Sequence, residues 1–266
     1  MGVISNVVKG NLGKYTNPRF YNLLRLILNA NGRSSHKTGI IKFDGLQLIY
    51  NDATALMGMY NEIFYQEHYK FISSVKEPII IDCGANIGLS VLYFKMLAPK
   101  ASVIAIEADP DVAEILKKNL EINNCQAEIV TKAVWTTNNE ILSFGKAGAD
   151  AGSLFSTANV TLVETIRLKD IIEKYSEIEL LKIDIEGAEI DVIKDCKTVL
   201  FKVKKVFIEF HSFPDKPQQL EDILSIMVDQ GFRYKILPAR KMKHAFMPVK
   251  EKEMMDLQLN IFFQKK

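Results

Sequence analysis

A chain of 266 residues with 48% hydrophobic and 25% charged side chains can bury a full core, which excludes a disordered polymer. Its 34 basic and 32 acidic residues leave a net charge of +2, and pairs such as Lys117-Lys118 and Lys204-Lys205 are dispersed, which argues against nucleic acid as a partner. Cys83, Cys125 and Cys196 are odd in number without CxxC spacing, no run approaches the ~20 apolar residues of a membrane span, and no signal peptide opens the chain, so a soluble cytoplasmic protein without disulfides or zinc is expected.

The first 75 residues read as a small cap of helix, hairpin and helix. RFYNLLRLILNANG puts Phe20, Leu23, Leu24, Ile27 and Leu28 on one helical face and stops at Asn31-Gly32, where a C-cap glycine belongs. GIIKFDGLQLIY reads as a hairpin turning at Asp44-Gly45. MYNEIFYQEHYKFI is helix-like, and at that spacing Tyr60, Phe64, Tyr65 and Tyr69 read as core before they read as a sugar-stacking surface.

From Pro78 strands and helices alternate. PIIIDCG, SVIAIEA, AEIVTKAV, LLKIDI and KVKKVFIEFH read as strands, separated by NIGLSVLYFKMLAP, DPDVAEILKKNLEINN, GAEIDVIKDC and, after the last, KPQQLEDILSIMVDQG as helices. This is an α/β pattern: a mostly parallel, doubly wound Rossmann-like sheet over residues 76–266. FRYKILP and LQLNIFFQK follow without a long helix between them, so an antiparallel C-terminal pair closes the sheet.

Ligands of such sheets collect at the carboxyl ends of the strands. DCGANIG, residues 82–88, runs from a strand into a helix, with Gly84 and Gly88 allowing a tight turn and close approach of a ligand. Glu107 ends the next strand about 20 residues later, where a carboxylate accepts from both ribose hydroxyls of an adenosine. A nicotinamide cofactor calls for G-x-G-x-x-G; here the loop is G-A-N-I-G, and Asp82 before it would repel a pyrophosphate while suiting an ammonium and a sulfonium. S-adenosylmethionine is favoured over NAD.

IIIDCGANIGLS, AIEADP, KAVWTTNNEILSF, VETIRLKDII, LLKIDIEGAEIDVI and VFIEFH together resemble the FkbM-type class I methyltransferases over roughly residues 58–236. The resemblance implies a cofactor seat of Asp82, Gly84, Ala85, Asn86, Gly88, Glu107 and Ala108, with Ala133 and Val134 near the adenine and Asp184 near the methionine moiety. It implies O-methylation of a hydroxyl on a sugar, glycan or natural-product-like small molecule. RLKDI departs from the family by carrying Lys169 where a first Asp is common, leaving Asp170. Two alternatives stand beside this reading. An NAD-linked oxidoreductase is opposed by the glycine loop, and a catalytically inactive binding module, which Lys169 favours, is opposed by the intact DIEGAE element.

Methyl transfer requires an aligned nucleophile and an acceptor for its proton. LLKID delivers Asp184 to the carboxyl edge, and Glu186 follows in the turn. Glu189 and Asp191 read as caps and dipole partners of the helix. VFIEFH sets Glu209 and His211 on one face beside Asp184 if the two strands are neighbours, so Asp184, His211, Glu186 and Glu209 are the catalytic candidates. His36, His68 and His244 carry no placement argument. A divalent metal on Asp184, Glu209 and His211 is compatible with the pattern without being required, and nothing specifies an oligomeric state.

Overall fold

The computed structural model describes residues 17–31, 38–146, 152–153, 160–239 and 255–265. Gly32, His36, His244 and most of the segment 145–156 lie outside the described residues. The chain divides into two compact units, Met1–Lys70 and Phe71–Lys266.

The first unit holds helix α1 (Pro18–Asn31), strands β1 (Gly39–Phe43) and β2 (Leu46–Tyr50), and helix α2 (Ala53–Tyr60). On α1 the buried side chains are Phe20, Leu23, Leu26 and Ile27, while Leu24 is half-buried and Leu28 is 73% exposed. At about 100° per residue the buried four lie within one stripe of about 120°, which leaves Leu24 and Leu28 on its flank. The expected face was therefore rotated by part of a turn. Asp44 and Gly45 both take positive φ, at 49° and 80°, as a two-residue hairpin turn demands. Asp52 caps α2 by accepting from the backbone N–H groups of Thr54 and Ala55. The helix begins earlier than its aromatic run suggested and passes into a π-turn, Asn61–Tyr65. Tyr60 and Phe64 are buried and stacked, with centroids 5.4 Å apart, so both rings are core.

The second unit is built on a seven-stranded sheet ordered β12-β13-β11-β10-β3-β4-β5. Its strands are β3 (Ile79–Cys83), β4 (Ser102–Ile106), β5 (Glu128–Val130), β10 (Ile178–Ile183), β11 (Val203–Ser212), β12 (Arg233–Pro238) and β13 (Leu257–Gln264). The helices α3 (Leu89–Leu97), α4 (Pro110–Ile122), α5 (Leu168–Glu173), α6 (Glu189–Cys196) and α7 (Leu220–Asp229) connect them. β13 runs antiparallel to both its neighbours, β11 and β12, and so against the direction of the other six strands. It forms the expected antiparallel pair with β12, yet sits inside the sheet. Its Ile261 and Phe263 are buried, whereas every residue of β12 is exposed, in keeping with the charges Arg233 and Lys235 on an edge.

AEIVTKAV does not form one strand. β5 stays in the main sheet, and after Lys132 the chain moves as β6 (Ala133–Trp135) to a second sheet, ordered β6-β9-β7-β8, with β7 (Ile141–Lys146), β8 (Gly152–Ser153) and β9 (Val160–Arg167). Lys132 turns outward to pair with Glu164 of β9 at 2.7 Å. No glycine or proline marks that break.

All six residues of β10 are buried, as a central parallel strand requires. Leu181 and Ile183 join Ile81, Cys83, Ile106, Val192, Ile193 and Ile208 in one apolar core. Register then fixes the edge that matters. Cys83 pairs with Ile106, Ile183 with Cys83, and Ile208 with Ile183. The next residue of each strand is Gly84, Glu107, Asp184 and Glu209, in a row along the carboxyl edge.

Candidate functional site

The row has two halves. In the first, the chain leaves β3 through Gly84 and Asn86, both at positive φ, into α3. The N–H groups of Gly84 and Ala85 donate to the carbonyl of Ile106 at 2.9 and 3.0 Å. Glu107 then closes the loop: one carboxylate oxygen accepts from Asn86 N–H and the other from Asp109 N–H, each at 2.9 Å. Burial pushes the Glu107 carboxyl up to about 7, against the pull of those two N–H groups. Each oxygen retains acceptor capacity, which suits a pair of donor hydroxyls such as those of a ribose. This pair of acceptors thus fits the adenosine end of S-adenosylmethionine. Ala108 packs on the small cluster of Ala133 and Val163, while Val134 belongs to the main core.

Asp82 and Gly84 act differently from their sequence reading. Asp82 is fully buried; Ser90 Oγ donates to it at 2.5 Å, and the Lys182 ammonium stands 3.3 Å from its other oxygen. Its carboxylate thus faces Ser90 and Lys182 and not solvent. A Cβ on Gly84 would stand 1.9 Å from the carbonyl oxygen of Asp184, so the close approach this glycine permits is that of the protein's own backbone. At Gly88 a Cβ would meet Leu116 at 2.6 Å.

Lys182 ties the halves together. Its buried ammonium donates to Gly84 carbonyl at 2.9 Å and lies 3.3 Å from both Asp82 and Asp184. Burial disfavours its charge, but Asp184, Asp82 and Glu209 outweigh that and hold the proton firmly.

In the second half, Asp184, Glu186 and His211 converge, each offering one ligand atom within 4.8 Å of the others. Glu186 takes a left-handed backbone, φ 57°, followed by Gly187 at 106°. The His211 side chain is wholly buried; its Nδ1 lies 3.0 Å from Glu189 Oε1, and its Nε2 faces Glu186 at 3.5 Å and Glu209 at 3.9 Å. Gln258 of β13 donates to Glu209 at 2.5 Å and sits 3.4 Å from that Nε2. Burial opposes a charge on the ring, but Glu189, Glu186 and Glu209 overcome it and lift His211 well above the usual imidazole range. The three carboxylates thus favour the charged form of the imidazole. The side chains of Asp184 and Glu186 keep 24% and 18% of their surface exposed.

Sequence reasoning missed Lys182 and Gln258 and read Glu189 only as a cap. A lysine inside the apolar run LLKIDI was a signal, because an unpaired charge on a buried strand is too costly to keep. Gln258 had no such mark. Asp170 accepts from Asn138 at 2.5 Å and pairs with Arg167, a surface network that needs no second acid at Lys169. A cavity of about 810 Å³ lined by residues of α4, of β5 and of the connection between them, among them Leu120, Cys125 and Ile129, contains none of the site residues.

The model of the FkbM methyltransferase domain matches residues 82–234. Methyltransferase sdnD of Sordaria araneosa is 27% identical over 214 residues, 65% of this chain and 81% of that protein. The 2-O-methyltransferase NoeI of Sinorhizobium fredii is 27% identical over 167 residues, covering 54% and 68% of the two chains. The hexuronic acid methyltransferase AglP of Haloferax volcanii is 25% identical over 154 residues, covering 56% and 62%. No described helix is long and apolar enough to cross a membrane.

Proposed function

The chain belongs to the FkbM methyltransferase family and is an S-adenosylmethionine-dependent methyltransferase, and from that premise we propose that it methylates a hydroxyl oxygen of a sugar, glycan or natural-product-like small molecule in the cytoplasm. The observation that carries this reading is the convergence of Asp184, Glu186 and His211 in the half of the strand-end row next to the Glu107 seat. A hydroxyl is a poor nucleophile while protonated, and a carboxylate within hydrogen-bond reach is the group it needs. The names of two relatives, a 2-O-methyltransferase and a hexuronic acid methyltransferase, support oxygen as the acceptor atom and a sugar as its carrier.

S-adenosylmethionine, when bound, supplies a methyl carbon activated by its sulfonium. The protein's work is alignment and proton removal. In our reading Glu107 holds the ribose hydroxyls, the loop through Gly84, Ala85, Asn86 and Gly88 shapes the seat, and Ala108, Ala133 and Val134 flank the adenine. Asp184 and Glu186, the acids of the cluster with exposed surface, meet the acceptor, and one of them takes its proton. The His211 ring holds Glu186 from behind, with Glu209 on the far side of its Nε2. No metal ion is needed for these steps.

The test is incubation with S-adenosylmethionine and a panel of methyl glycosides, methyl hexuronides and nucleotide sugars, with the methylated position located by NMR. Methylation at a sugar oxygen is expected; methylation confined to nitrogen or carbon acceptors overturns the proposal. Calorimetry should show binding of S-adenosylhomocysteine and none of NADH.

A further inference from the structure

Glu189 opens α6, where a carboxylate ordinarily faces water and meets the helix dipole. Here it does not face water. It is 1% exposed, and its carboxylate bends back over the DIEGAE loop. Oε1 accepts from Ile185 N–H at 3.2 Å, from Gly187 N–H at 3.1 Å and from His211 Nδ1 at 3.0 Å; Oε2 accepts from Gly187 N–H at 3.1 Å. Ile185 and Gly187 are the two residues flanking Glu186. One buried carboxylate therefore pins the backbone on both sides of Glu186 and, through the imidazole, the group facing the Glu186 carboxylate.

Burying an ionised carboxylate costs several kcal/mol unless its partners are good, and a helix start can be capped at the surface by a short polar side chain without that cost. The arrangement is explained if the site needs Glu186 held in one place. The left-handed backbone of Glu186 points the same way, because a non-glycine residue rests there only when its surroundings impose it.

We propose that Glu189 is a positioning residue of methyl transfer, acting by fixing both the backbone and the imidazole partner of Glu186. This rests on the reading of Asp184 and Glu186 as the proton-accepting end of the site. The groups facing the His211 ring are Glu186, Glu189, Glu209 and Gln258. A glutamine at 189 keeps an oxygen where Oε1 makes its three contacts and removes the charge; an aspartate keeps the charge and withdraws it by one methylene.

The experiment compares the full chain with Glu189→Gln and Glu189→Asp. Long-range ¹⁵N NMR of histidine-labelled protein, with His211→Asn identifying the signals, reads the proton on the His211 ring nitrogens without any acceptor. Turnover with a methyl hexuronide reads the reaction. Expected are a strongly hydrogen-bonded Nδ1 proton in the wild type, a weakened and shifted Nδ1 proton signal in Glu189→Gln, a fall in kcat of at least about tenfold with acceptor KM within about threefold, S-adenosylhomocysteine affinity within about threefold, and partial recovery of kcat in Glu189→Asp. A Glu189→Gln protein whose ring signal is unchanged, or changes with kcat unchanged, overturns the proposal. If the wild type methylates no sugar, the function proposed above fails, while the ring signal still decides whether Glu189 holds His211.

Discussion

Gly84 and Asp184, a hundred residues apart, are in backbone contact: a Cβ on the glycine would lie 1.9 Å from the aspartate's carbonyl oxygen. That oxygen cannot retreat easily, because Asp184 N–H donates to Cys83 carbonyl at 3.1 Å and binds the two strand ends together. The first glycine of the loop is thus demanded by the sheet edge before any ligand arrives.

Substitution there should act on the fold as well as on the ligand. Gly84→Ala adds a clash to a backbone at φ 81° and is expected to destabilise the protein by at least about 2 kcal/mol. Urea unfolding without ligand measures this. A variant as stable as the wild type would return the glycine to a role in ligand approach alone.

Glu107 predicts a pH dependence of cofactor binding. A carboxyl whose folded value is raised from 4.5 to about 7 adds stability below 4.5 and loses it as pH rises through about 7, so the ligand-free seat is penalised for holding charge. Ribose hydroxyls donate to the ionised form, so binding should expel a proton. S-adenosylhomocysteine affinity is expected to fall about tenfold from pH 8 to pH 6. Glu107→Gln should flatten that dependence, and Glu107→Ala should weaken binding by about 1–3 kcal/mol. Calorimetry in two buffers of different ionisation enthalpy reads the proton directly; affinity independent of pH would remove Glu107 from the ribose.

Lys182→Met leaves Asp82 and Asp184 facing each other across the place of the lost cation. A loss of about 3–5 kcal/mol is expected, as for one partner taken from a buried ion pair. Thermal unfolding checks it, and a shift of only a degree or two would mean that water already reaches this ammonium.

Asp184→Asn and His211→Ala should each lower turnover at least about tenfold, with cofactor affinity changed more by the first. Dialysis against EDTA should leave turnover within about twofold. Loss of activity restored by magnesium would reassign Asp184, Glu186 and His211 as ligands of a cation.

The alternation of apolar runs and helical periods was enough to identify a mostly parallel sheet, and because strand ends align across such a sheet, it put Gly84, Glu107, Asp184 and Glu209 at carboxyl ends; it left open that the strands of Asp184 and Glu209 are neighbours. What it could not convey was contact across the sheet. His211 and Glu189 are 22 residues apart with nothing local to mark their pairing, and only the register of β10 with β11 and the return of α6 bring them together. The inner place of β13 was written in the uncharged LQLNIFF against the charged FRYKILP, but adjacency in sequence suggested only that the two pair. The break in AEIVTKAV left no trace, since its residues suit one strand as well as two.

The insertion of β13 between β11 and β12 also sets an order of assembly. The strands that carry Gly84, Glu107, Asp184 and His211 all leave the ribosome before Leu257, and Ser212 precedes it by enough chain for roughly several seconds of synthesis. During that interval β11 has a bare edge beside Glu209 and His211, and β12 has no proper neighbour to lie against. Gln258, which lies against both Glu209 and His211, arrives only with the strand that seals the gap, so the polar cluster behind Glu186 is completed last.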